Sequence, residues 1–82
     1  MSSISVQWVL EVVGDFDESG GASLGLVAWE LSLEEEHVLD AWEQAQADGL
    51  IRSAGNDLHG EQMWQLTVGG WTALRDGRRD SA

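Results

Sequence analysis

Glu34, Glu35, Glu36, Asp40 and Glu43 crowd into one short run, SLEEEHVLDAWEQAQADGLI at 32–51, which contains no Lys or Arg. At helical spacing these carboxylates build an anionic face, able to steer a basic partner or to imitate the charge of DNA. His37 lies three residues from both Glu34 and Asp40, a spacing that places all three on one side of a helix. A divalent ion there would find neither a second His nor any Cys, so an exposed His beside acids is expected, and no metal. The loop DFDESG starting at Asp15 opens like an EF-hand, whose twelfth position must be a bidentate Glu. That position is Leu26, and calcium is not expected. Arg75, Arg78 and Arg79 form the only basic cluster. They suit a helix C-terminus, where the macrodipole favours cations, and they would also serve as a small phosphate grip or pair with the acids of a second copy. His59 has no partner visible in the sequence. No Ser-His-Asp order, nucleotide-cradling loop or paired-carboxylate setting is present, so neither catalysis nor a cofactor is expected.

Composition narrows the classes further. Eighty-two residues, 43% of them hydrophobic, make one small folded domain rather than a disordered chain. The absence of Cys excludes disulfides, thiolate nucleophiles and Cys-based zinc sites. No apolar run reaches the roughly 18–20 residues of a membrane span, and MSSISVQ does not read as a signal peptide, so a cytoplasmic location is expected. Fifteen acids against four Arg give a net charge of −11. Such a surface repels DNA and anionic membranes over most of its area. A basic protein partner, a cytoplasm of high ionic strength and a merely solubilising surface each account for it. The five Trp exceed what one small core can hold, and Trp is favoured at interfaces.

The elements that must carry these residues follow from periodicity. Val6, Val9, Leu10, Val13 and Phe16 are spaced for one face of a helix, with Trp8 and Val12 as a second stripe beside it. Ser23 is placed to cap a second helix, whose inner face is Leu24, Val27, Ala28 and Leu31; Trp29 falls off that face. Ser32 with Glu35 reads as the capping box of a third helix, with Val38, Trp42 and Ala45 inward and Gly49 just past its end. LIRSA and MWQLT, joined by GNDLHGE, form a hairpin. Thr67 caps a short last helix, and 1–75 is taken as the domain with 76–82 as a frayed tail.

The order helix, helix, helix, hairpin, helix becomes specific at ADGLI (47–51) and QLTVGG (65–70). These resemble the helix end and strand end that bracket the wing in MarR-, PadR- and ArsR-type regulators. The resemblance spans about residues 5–76. It implies an α+β, mostly helical winged helix-turn-helix fold of three helices, a β-hairpin wing and a short C-terminal helix. It also implies frequent homodimerisation and DNA binding through the third helix and wing.

Two functional readings stay open. The favoured one is a non-enzymatic regulatory module acting by protein contact, through Glu34, Glu35, Glu36, Asp40 and Glu43, with Trp8, Val12, Trp29 and Trp71 as the desolvated surface. It would be a homodimer or the partner of a basic protein. The alternative is a sequence-specific DNA-binding regulator, contacting DNA through Arg52, Arg75, Arg78 and Arg79 with readout by His37 and Gln44.

Overall fold

The computed structural model describes residues 4–81, with side chains through residue 77. Helices α1 (Val6–Asp15), α2 (Leu24–Glu30) and α3 (Glu35–Ala47) precede strands β1 (Ile51–Asn56) and β2 (Gln62–Leu66), and α4 (Val68–Ser81) closes the chain. This is the winged-helix order expected from the sequence. The core lies between α1, α3 and the base of the hairpin. Val9, Leu10, Val13, Val27, Val38 and Ala45 are sealed from solvent, and Trp42, Leu66 and Leu74 are nearly so.

Local chemistry explains most element ends. Ser5 and Ser23 cap α1 and α2 by accepting the backbone N–H of Gln7 and Leu26 at 3.1 Å each. Thr67 caps α4 by accepting from Gly70 N at 3.0 Å, and its hydroxyl donates to Gly49 O at 2.6 Å. One threonine therefore ties the start of α4 to the end of α3. Gly70 lets that junction close, because a Cβ there would collide with the carbonyl of Leu50. At the end of α3 the amides of Gly49 and Leu50 return to Gln46 O and Ala45 O, with Gly49 left-handed at φ 69°. This is a Schellman motif at the glycine expected to hold it.

Ser32 departs from expectation. It does not cap α3; Glu34 occupies the cap position, with no side-chain bond. Ser32 instead adopts φ 58° and ends α2, with Ser32 N bonded to Trp29 O and Leu33 N to Ala28 O. The geometry is a second Schellman motif with serine where glycine is usual. Closing the tight turn between α2 and α3 takes precedence over the capping box.

Two further expectations change. Val12, placed on an exposed stripe by periodicity, is 8% exposed and belongs to the core. The reason is that α1 is gripped from several sides, by α2, α3, α4 and β2. Helix α4 extends to Ser81, through the segment read as a tail. Gln7 Nε2 donates to Leu74 O at 3.1 Å, and Gly77 packs directly on the Gln7 amide, so α1 supports the second half of α4.

Candidate nucleic-acid interface

Helix α3 buries Val38, Ala41, Trp42 and Ala45. At about 100° per residue, the side chains pointing farthest from that stripe are Glu36, Asp40, Glu43 and Ala47. Glu35 and Leu39 lie on the flank facing the wing, while His37 and Gln44 lie on the other. The α3 acids are exposed. Among them the side chains of Glu35, Asp40 and Glu43 make no hydrogen bond or ion pair within the described residues. His37 Nε2 sits 3.8 Å from Glu36 Oε1, an ion pair when the imidazole is protonated, and Gln44 Nε2 donates to Asp48 Oδ2 at 2.9 Å. Glu34, Glu36 and His37 bring one ligand atom each within 4.8 Å of one another, all on open surface.

The wing is more ordered than its turn-rich sequence suggests. Its antiparallel register pairs Ile51 with Leu66, Arg52 with Gln65 and Ser53 with Trp64, then shifts by a bulge before Asn56 meets Gln62. At the tip Asp57 Oδ1 accepts from His59 N at 2.8 Å and Glu61 N at 2.9 Å, which folds the loop around one carboxylate. This hydrogen-bonded tip holds Leu58 fully in solvent. The base of the wing is anchored twice. Trp64 packs edge-on against Trp42, with ring centroids 5.9 Å apart, and its backbone exchanges two 2.9 Å hydrogen bonds with Ala22. That bridge adds a short third strand position between α1 and α2, which no local pattern signalled.

The residues proposed from sequence for DNA contact are distributed over several elements. Arg52 projects from the hairpin face opposite Trp64 and Leu66, and its guanidinium donates to Gln65 Oε1 at 3.1 Å. Gln65 in turn donates to Asp17 O at 3.2 Å, so Arg52 is held on a braced strand. Arg75 is exposed on α4. Arg78 and Arg79 are on the helical backbone of α4, outside the residues whose side chains are described.

Of the residues proposed for protein contact, Trp29 is 74% exposed on α2, Trp8 51% on α1 and Trp71 44% on α4, while Val12 is withdrawn into the core. The three Trp are therefore surface groups on three separate helices. Sequence reasoning overlooked Leu58 and Val68, both strongly exposed, and the structural employment of Asp57 and Glu61. The spacing of Asp57 from Gly60 in a hairpin loop was the available signal for the Asp57 turn.

No protein-family model matches the sequence, and no curated protein matches it. Solved structures do share its fold. A MarR family transcription regulator superposes with a TM-score of 0.76 at 18% identity, over 98% of this chain and 52% of its own. The transcriptional regulator BldR from Sulfolobus solfataricus gives 0.71 at 16% identity, over 90% and 52%. A mutant of ZitR from Lactococcus lactis gives 0.72 at 17% identity, over 96% and 53%. The chain thus spans about half the length of the structures it matches. These neighbours are regulators rather than enzymes, and no helix among the described residues is long and apolar enough to cross a membrane. The comparison reverses the order of the two readings drawn from the sequence. The protein-contact module built on the acidic helix is set aside, because structures that match nearly the whole chain are named transcription regulators.

Proposed function

We propose that this chain is the DNA-binding module of a transcriptional regulator. The observation that carries this reading is the winged-helix arrangement itself, with an exposed α3 set behind a tight turn and a braced wing beside it. It is shared over nine-tenths of the chain or more with two named transcription regulators. Helix α3 has the geometry to enter a major groove, and the wing to follow the adjacent backbone. His37 and Gln44, on the flank of α3 away from the wing, read base edges. Arg52, Arg75, Arg78 and Arg79 contact phosphates. Four Arg are few for this task, and a dimer would present twice as many. Trp8 on α1 and Trp71 on α4 offer apolar area for a second copy.

The test is a fluorescence-anisotropy titration with mixed duplex DNA, begun at the lowest salt and repeated upward. Saturable binding is expected at low salt, with affinity falling as salt rises, by a slope of about −0.9 for each phosphate neutralised. Arg52→Ala and Arg75→Ala should each reduce that slope by about 1 and weaken all sequences alike. No binding at the lowest salt, with or without an added organic polycation, overturns the reading.

A further inference from the structure

The outward acids of α3 are the feature least suited to DNA, and the cleft beside them suggests how their charge is answered. An open cleft of about 370 Å³ lies between α3, the wing and the start of α2. Its volume falls within the range of small-molecule sites. Trp42, Trp64 and Leu39 give it an apolar floor, and Glu35, Glu43 and Glu61 give it three carboxylates. The Glu61 carboxylate is bonded to a neutral group, the Ser23 hydroxyl, which donates to Oε2 at 3.3 Å. The carboxylates of Glu35 and Glu43 make no such bond within the described residues. An apolar floor beside carboxylates that no cation neutralises favours an organic cation, whose alkyl part covers the floor while its charge meets the acids.

The spacing narrows the class. Glu35 and Glu43 are eight residues apart, about 12 Å along the helix axis, with Leu39 midway. Opposite Glu35 stands Glu61, across Gly25 of α2. A Cβ on Gly25 would meet Glu61 Oε1 at 3.7 Å, Glu35 Oε1 at 3.8 Å and Ser23 Oγ at 4.0 Å, all ordinary contacts. Packing therefore does not demand glycine there, although alanine is the better helix former. The missing side chain keeps open the space between the two carboxylates. We propose that this cleft binds a linear aliphatic polyamine. One ammonium sits between Glu35 and Glu61, the alkyl chain crosses Leu39 and the Trp pair, and a second ammonium reaches Glu43. A hydrated magnesium ion fits less well, since it holds its waters and gains nothing from the apolar floor. Occupancy lowers the negative charge beside the DNA-facing helix, so the polyamine is a positive effector. That consequence rests on the DNA-binding reading; the binding itself does not.

The five Trp indole N–H signals of the intact chain provide the test, in a spermidine titration followed by NMR without DNA and at constant ionic strength. Trp42 and Trp64 should shift along one saturable curve with a midpoint below about 1 mM, while Trp8, Trp29 and Trp71 stay still. Glu43→Gln and Glu61→Gln should each weaken binding about threefold to tenfold, and Asp40→Asn, outside the cleft, should not. No saturable shift, equal movement of all five indoles, or equal loss in Asp40→Asn would overturn the site and leave only diffuse attraction between counterions and an acidic surface. A parallel DNA titration separates the two claims. Cleft binding without DNA binding at any polyamine concentration supports the site and overturns the DNA-binding reading instead.

Discussion

The acids of the wing and the acids of α3 are the same residue types in very different employment. Asp57 holds two backbone amides of the wing tip, and Glu61 accepts from a buried serine across the domain. Each is bonded into the fold. The carboxylates of Glu35, Asp40 and Glu43 of α3 are bonded to nothing within the described residues. Their contribution is the field they project, partly offset at Glu35 and Glu36 by the positive end of the helix dipole. Counting acids along the chain treats both groups as surface charge. The structure separates acids bonded into the fold from acids whose side chains have no bonded partner.

The two regions meet at the Trp42–Trp64 contact, and breaking that joint should have the largest effect. Trp42→Ala empties a site in the core and removes the edge-on partner of the wing. A loss of about 3–5 kcal/mol is expected in denaturant unfolding. If the loss is below about 1 kcal/mol, the wing is not braced against α3 in the way described.

A smaller effect sharpens the contrast from the wing side. Asp57→Ala removes two charge-assisted hydrogen bonds at an exposed tip, with an expected cost of about 1–2 kcal/mol. Faster hydrogen exchange at the His59 and Glu61 amides is the direct readout. Unchanged exchange would mean that the tip is set by its backbone alone.

The smallest stability effect belongs to the opposite region. Asp40→Asn combined with Glu43→Gln should leave unfolding within about 0.5 kcal/mol of the parent, since neither carboxylate has a bonded partner. The same pair should raise DNA affinity at low salt about threefold to tenfold by removing repulsion from phosphates. A stability loss matching that of Asp57→Ala would erase the distinction between the two groups of acids.

Much of the fold was legible because its signals are local. The Ser23 and Thr67 caps and the Gly49 helix end depend on backbone groups a few residues away, and all three formed where expected. The Ser32 turn misled for the same reason. Ser32 and Glu35 satisfy a local capping rule, yet the turn is decided by how α2 must meet α3. The candidate site was less readable. His37, Gln44 and the acids of α3 could be placed on their helix from spacing, but the side of α3 that borders the wing could not. The cleft formed with Glu61 and Gly25 joins residues far apart in the chain, so no sequence window contains it.

By itself the sequence determined the element order, the inward stripe of α3, the hairpin and the excess of negative charge, all properties of short segments and of composition. Tertiary structure alone decided that Val12 is core, that α4 continues along α1 past Leu74, and that Trp64 bridges Ala22. It also decided which acids are bonded into the fold and which have no bonded partner. Each of these depends on contacts between distant segments, and the free energy of such contacts exists only once the chain has closed around its core.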